Sequence, residues 1–206
     1  MNWQRRRERK AVLLKQASEW IDQKVFKAED AVNILETVIP SGANVILEGD
    51  NQKQATFLAK TLANVDPEKV NRLNMIMPAV TMDEHLTIFE KGIAEEINFA
   101  FSGKQSKKIS QMLDDRAIKI GAIHTYLELY ARCFVDLIPD VCLIAAEKAD
   151  RHGNLYTGFS TEDTPVLAEA GAFKDAIVIA QANELVSEDS LPRVDIPGDW
   201  VDLEIG

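Results

Sequence analysis

The chain has 206 residues, 46% of them hydrophobic and 27% charged, which is enough apolar material for one good-sized core or for a large domain with an appended arm. Its net charge of -10 excludes non-specific nucleic-acid binding, because a phosphate backbone needs a basic face; a small anion needs only local donors and a cation or two. No apolar run is long enough to span a bilayer and no signal-peptide core opens the chain, so a cytoplasmic protein is expected. Cys133 and Cys142, each in apolar surroundings and without CxxC or Cys/His spacing, read as buried reduced thiols, and no metal site is expected.

In chain order, Trp3 to Trp20 reads as a helix whose first half is crowded by Arg5, Arg6, Arg7, Arg9 and Lys10. Such a cluster is ordinarily a solvated face; the alternative is a dock for an acidic partner subunit. A second helix is predicted from about Glu29 to Val38, ended by Pro40-Ser41-Gly42. Residues 1–40 are therefore expected as an N-terminal helical arm and 41–206 as the main domain. Asn44 to Leu47 begins as a buried strand, turns at Glu48-Gly49-Asp50, and runs into a helix over 52–64. Strands follow at 73–77, 97–101 and 118–123, and helices at 83–89 and 106–116, the latter with Ile109, Met112 and Leu113 inward. Residues 127–138 suit a helix or an extended segment. Val141 to Ala146 and Ala176 to Ala180 are continuous apolar runs, as central parallel strands require, and Asp163 to Phe173 lies between them as a helix. The tail from Pro192 to Asp202 reads as irregular. The chain stops at Leu203-Glu204-Ile205-Gly206, which is either a natural end or the approach to another strand in a longer polypeptide. The alternation of strands and helices defines the expected fold class: α/β, an open, mostly parallel sheet with helices on both faces.

In such folds the ligand crevice lies outside the carboxyl ends of the strands, where helix N-termini offer unpaired N–H groups. Glu48, Gly49, Asn51 and Gln52 form a strand-to-helix turn at such an end and are candidate ligand-binding residues; the alternative is a purely structural turn with an N-cap. His124, at another strand end, lines the crevice or fills a gap as a hydrogen-bonded ring. Gly153 and Asn154 read first as a turn, with binding as the second possibility. Asp150 and Arg151 are expected to pair at the surface, and Glu128 and Arg132, four apart, to pair along a helix.

Ala149-Asp150-Arg151-His152-Gly153-Asn154-Leu155, the following helix, Ile177-Val178-Ile179, Asn183-Glu184-Leu185-Val186 and Ile196-Pro197-Gly198 with Trp200-Val201-Asp202 resemble the first domain of family I coenzyme A transferases. A closer resemblance, over nearly the whole chain, is to the malonate decarboxylase alpha subunits. It is carried by Glu48 to Ala55, Met75 to Pro78, Gly121 to Tyr126, Glu128 to Arg132, Asp136 to Pro139 and Asn154 to Gly158. Each motif alone is weak; their number and order make the joint signal.

That resemblance implies an acyl-carrier-protein transferase exchanging acetate for malonate on the carrier's thioester. The thiol belongs to a phosphoribosyl-dephospho-coenzyme A prosthetic group, and the implied partners are the acyl carrier protein and the decarboxylase subunits. It implies covalent chemistry through a glutamate carboxylate, with backbone N–H groups stabilising each oxyanion. In the relatives that glutamate lies in a downstream domain. Glu48 falls on the binding loop instead and is not taken as the nucleophile, so no catalytic residue is assigned here. The relatives' Gly-rich loop has one glycine here, which points to the side-chain amides of Asn51 and Gln52 as donors. Two other readings stand beside this one: a non-catalytic carrier-binding or assembly module docking through the basic helix, and a sugar-phosphate isomerase or deaminase of the same broad fold, for which no sugar-phosphate motif is present.

Overall fold

Apolar residues spaced by two, then by three or four, make the chain switch repeatedly between strand and helix. The computed structural model describes residues 3–49, 55–158, 163–187 and 193–205. Helix α1 (Trp3–Gln16) tightens into a 3-10 turn and leads to a hairpin, β1 (Ile21–Asp22) and β2 (Val25–Phe26). Then come α2 (Ala31–Val38), β3 (Asn44–Leu47), α3 (Thr56–Leu62), β4 (Leu73–Ala79), α4 (Asp83–Glu90), β5 (Ala94–Phe101), α5 (Ser106–Asp114) and β6 (Lys119–Ile123). The second half contributes α6 (Tyr126–Val135), β7 (Val141–Asp150), β8 (Leu155–Tyr156), α7 (Thr164–Phe173), β9 (Ile177–Val186) and β10 (Leu203–Ile205). Among the described residues no helix is long and apolar enough to cross a membrane.

The strands form one sheet in the order β1-β2-β10-β9-β7-β3-β4-β5-β6, with β8 beside β7. Every pair from β2 to β6 along that order is parallel; β1 with β2 and β8 with β7 are antiparallel. The strands bury both faces, and so Val45 and Leu47 point into one core while Ile46 points into the other. The first core packs α2, α3, α4 and α5 on the sheet through side chains such as Leu35, Leu58, Leu86 and Ile109. The second packs α6 and α7 through Leu129, Cys133, Leu167 and Ala168. Burial pushes the Cys133 thiol up to about 12 and the Cys142 thiol well above its ordinary value, so both stay protonated and unreactive.

Several expectations change. The sheet gains β1, β2 and β8, too short to show as apolar runs, and Leu203–Ile205 is a strand, β10, as its sequence suggested. The segment open between helix and strand is α6, whose start is capped by Thr125 Oγ1 accepting the Glu128 N–H at 3.2 Å. Leu113, expected inward, is exposed, while Ile109 and Met112 carry the buried stripe of α5. Arg132 pairs with Asp136 instead of Glu128, its Nη2 standing 2.7 Å from Oδ2, while Glu128 Oε1 lies 3.4 Å from His124 Nδ1.

The basic first half of α1 is tied to the sheet through ion pairs, although Arg7 and Arg9 keep much of their surface exposed. Arg6 donates to the Lys174 carbonyl at 2.9 Å, to Asp140 Oδ1 at 2.9 Å and to the Pro139 carbonyl. Arg9 also pairs with Asp140, Arg7 with Asp175 at 3.0 Å, and Lys10 with Asp202 at 2.7 Å. These acceptors sit just before β7 and β9 or between them and β10, so the helix clamps the amino ends of the sheet. Asp140 is the centre of the clamp, because its Oδ2 also accepts the Asn44 N–H at the start of β3 at 3.0 Å. Asp140→Ala leaves that N–H without its acceptor and removes the carboxylate that pairs with Arg6 Nη1 and Arg9, and should cost about 2 kcal/mol. The expected fall in Tm is about 6 °C, with faster amide exchange through α1. An unchanged melting curve would show that the clamp is decorative.

Candidate ligand-binding crevice

From β3 the chain adds β4, β5 and β6 on one side, then returns to place β7 on the other. The boundary between β3 and β7 is therefore the topological switch point, where the two following connections diverge and where folds of this kind carry their ligand crevice. Glu48, the residue after β3, spans this boundary. It is fully buried, its N–H donates to the Leu143 carbonyl at 3.0 Å, and its Oε2 accepts the Ala145 N–H of β7 at 2.6 Å. Its Oε1 accepts Thr164 Oγ1 at 2.5 Å, at the first residue of α7, where the helix dipole favours a negative charge. The carboxylate thus fastens β3, β7 and α7 together.

Gly49 follows Glu48 at the end of β3. An added Cβ would lie 2.0 Å from the Ala79 carbonyl oxygen at the end of β4 and 2.8 Å from His85 Cε1 in the first turn of α4. The turn after β3 and the connection after β4 therefore press against one another, and only a residue without a side chain fits between them. Asn51 and Gln52, the other candidates on this turn, lie outside the described residues.

Past the end of β7, Gly153 and Asn154 belong to a second, separately built turn. Asp150, almost fully buried instead of pairing with Arg151 at the surface, accepts the N–H groups of His152 at 2.8 Å and Asn154 at 3.1 Å on Oδ1. Its Oδ2 accepts Asn154 Nδ2 and the Tyr156 hydroxyl, each at 3.0 Å. Burial works to raise this carboxyl, but these donors together hold it below the ordinary carboxylate range. Asn154 Oδ1 accepts the Gly198 N–H at 2.9 Å, and Gly153 has φ +77°. Glu204 from β10 closes this knot; burial raises its carboxyl, the nearby Asp150 adds to the effect, and Lys24 pulls against it.

His124 stands elsewhere. It follows β6, three strands from β3, or about 14 Å across the sheet. It is buried at the end of a polar ladder in which Asn74 donates to Asn44 at 3.0 Å and Asn98 to Asn74 at 2.9 Å. His124 Nε2 lies 3.4 Å from both Asn98 Oδ1 and Arg132 Nη1. The structure thus brings Glu48 and Gly49 together at the switch point, places Gly153 and Asn154 on the neighbouring turn, and leaves His124 at the far edge.

One residue at the crevice went unread in the sequence. His85 is fully buried against Gly49, its Nδ1 accepts the Thr81 N–H at 3.3 Å, and burial lowers its pKa to about 4. A histidine in the first turn of the helix that follows a central strand was the available signal; the adjacent Asp83-Glu84 pair, a helix-start marker, masked it.

An open, mostly parallel sheet with helices on both faces and its crevice at the β3/β7 switch defines a coenzyme A transferase-like domain. An acyl-CoA transferase from Escherichia coli O157:H7 shares this fold at a TM-score of 0.70 and 19% identity, over 88% of this chain and 49% of its own. The family model for the malonate decarboxylase alpha subunit (transporter) matches residues 2–206, and the chain belongs to that family. It is 53% identical over 184 residues to an acetyl-S-ACP:malonate ACP transferase of Malonomonas rubra, covering 89% of this chain and 33% of the relative. It is 54% identical, at a TM-score of 0.95, to a chain of a Pseudomonas malonate decarboxylase hetero-tetramer solved in complex with malonate, covering 98% of this chain and 37% of that one. The chain therefore spans about a third of the length of the Malonomonas rubra and Pseudomonas relatives.

Proposed function

We propose that this chain is the thioester-binding part of an acetyl-ACP:malonate ACP transferase, in which acetyl-ACP and malonate become malonyl-ACP and acetate. The observation that carries the reading is the Glu48–Gly49 end of β3 at the switch point of a fold that matches 98% of this chain to part of a malonate decarboxylase chain. The carrier's phosphoribosyl-dephospho-coenzyme A arm enters as part of the substrate. The carboxyl end of β3 at Glu48–Gly49 is where this arm is expected to approach, as parallel α/β folds meet an anionic ligand at strand ends beside the switch point. Binding energy from this remote arm offsets the strained steps at the thioester. Glu48, with both carboxylate oxygens engaged and no exposed surface, acts as a fastener, so the attacking carboxylate comes from a downstream part of the longer protein. The partners are then the acyl carrier protein and the decarboxylase subunits, and the buried unpaired thiols suit a cytoplasmic, reducing setting.

The test is to follow acyl exchange from labelled malonate into the carrier, using residues 1–206 and the full-length protein side by side. Exchange is expected from the full-length protein and not from residues 1–206. Sustained turnover by residues 1–206 would overturn the division of labour. The alternative of an assembly module docked through α1 needs cations that Arg6, Arg9 and Lys10 have already committed to Asp140 and Asp202.

A further inference from the structure

The connection after β4 holds two buried polar atoms with nothing to bond to. Thr81 Oγ1 and His85 Nε2 are both inaccessible to solvent and have no hydrogen-bond partner among the described residues. They are four residues apart and held in one arrangement by the Thr81 N–H donating to His85 Nδ1. Because Nδ1 accepts, the neutral ring carries its proton on Nε2, and that proton points to no acceptor. Nε2 is bonded to Cε1, the ring atom that faces Gly49, so the orphan donor lies on the edge turned towards the β3 turn. A buried donor left unmade is destabilising, and two within one connection beside the switch point mark a place where an acceptor is missing.

We propose that Thr81 and His85 form the subsite that receives a carboxylate oxygen of the incoming acid, the malonate of the transferase reading on which this inference rests. Both donors are neutral. The acidic groups at the same helix start are Asp83, which accepts Gln105 Nε2 at 2.7 Å, and Glu84, 3.9 Å from Lys60. Neutral donors beside two acids suit a singly charged carboxylate group and disfavour the denser charge of a phosphate. The pair therefore reads the acid and not the carrier's phosphates.

The test uses the full-length protein labelled with ¹⁵N-histidine, the His85 ring signals being assigned by their loss in His85→Gln. Malonate should shift them saturably; inorganic phosphate at equal ionic strength should not. Thr81→Val should weaken malonate binding by calorimetry about tenfold without lowering Tm, since the hydroxyl it removes bonds to nothing in the free protein, and Thr81→Ser should restore binding. A purely structural threonine predicts no change in affinity. Silent His85 signals at saturating malonate, unchanged affinity in Thr81→Val, or an equal response to phosphate would each overturn the subsite. Acyl exchange is scored separately: wild-type protein that shifts His85 with malonate but exchanges nothing sinks the transferase reading and leaves the subsite standing.

Discussion

Gly49→Ala should cost about 3 kcal/mol or more and lower Tm by about 10 °C, although it adds a single methyl group. The added Cβ would stand 2.0 Å from a carbonyl oxygen and 2.8 Å from a buried ring. The carbonyl cannot yield cheaply, since it belongs to Ala79, which pairs with Phe101 in the sheet, and the next N–H, that of Val80, donates to the Phe101 carbonyl at 2.7 Å. The ring cannot yield either, because His85 is fully buried in the first turn of α4. Relief therefore requires β3 and β4 to part where the crevice forms, and ligand binding should fail with stability. Gly42→Ala is the control. Gly42 has φ +78° but nothing within 4 Å of its added Cβ, so its cost should be about 1 kcal/mol from backbone conformation alone. Urea midpoints of the two variants decide the matter: equal losses would mean that Gly49 is chosen for its turn and not for the wedge.

Gly49 also shows how far the sequence could be read. The apolar runs at 44–47, 141–146 and 176–180 determine strands buried on both faces, and the helices between them force a parallel sheet; all three strands appear, with β7 and β9 running on to Asp150 and Val186. What the runs cannot carry is strand order. The β3/β7 neighbourhood arises from a chain that reverses its direction of growth across the sheet, and only then does Glu48 meet Ala145 and Thr164. Charge was misread for the same reason. The arginines of α1 look solvated until the fold brings Asp140, Asp175 and Asp202 beneath them. Asp150 looked like half of a surface ion pair because its donors, apart from the Tyr156 hydroxyl, come from the turn of Arg151 to Asn154 folding back on it. Two-residue strands such as β1 and β2 have no period to detect, and pairing creates them, β2 with β10 and β1 with β2. His124 sits at a strand end as predicted, but a strand end is a crevice residue only near the switch point, and β6 is the edge of the sheet.

The same buried ring that wedges Gly49 should make the protein acid-sensitive in a window above the carboxylate range. Burial holds the His85 pKa at about 4, below its ordinary value of 6.5. The unfolded chain therefore binds a proton that the native state refuses, and the stability that depends on this is complete above pH 6.5 and declines as the pH falls. About 2 kcal/mol should be lost by pH 5 and about 3 kcal/mol by pH 4 from this group alone. Carboxylates such as Asp150, also held low in the native state, add their own losses further down. Comparing wild type with His85→Gln isolates the histidine, because those losses are common to both proteins. Urea unfolding at pH 7 and pH 5 should show the wild type losing about 2 kcal/mol more than the variant between the two. Parallel losses would mean that the ring takes up its proton as freely in the native state as in the unfolded chain, and is then neither sealed nor held neutral beside the crevice.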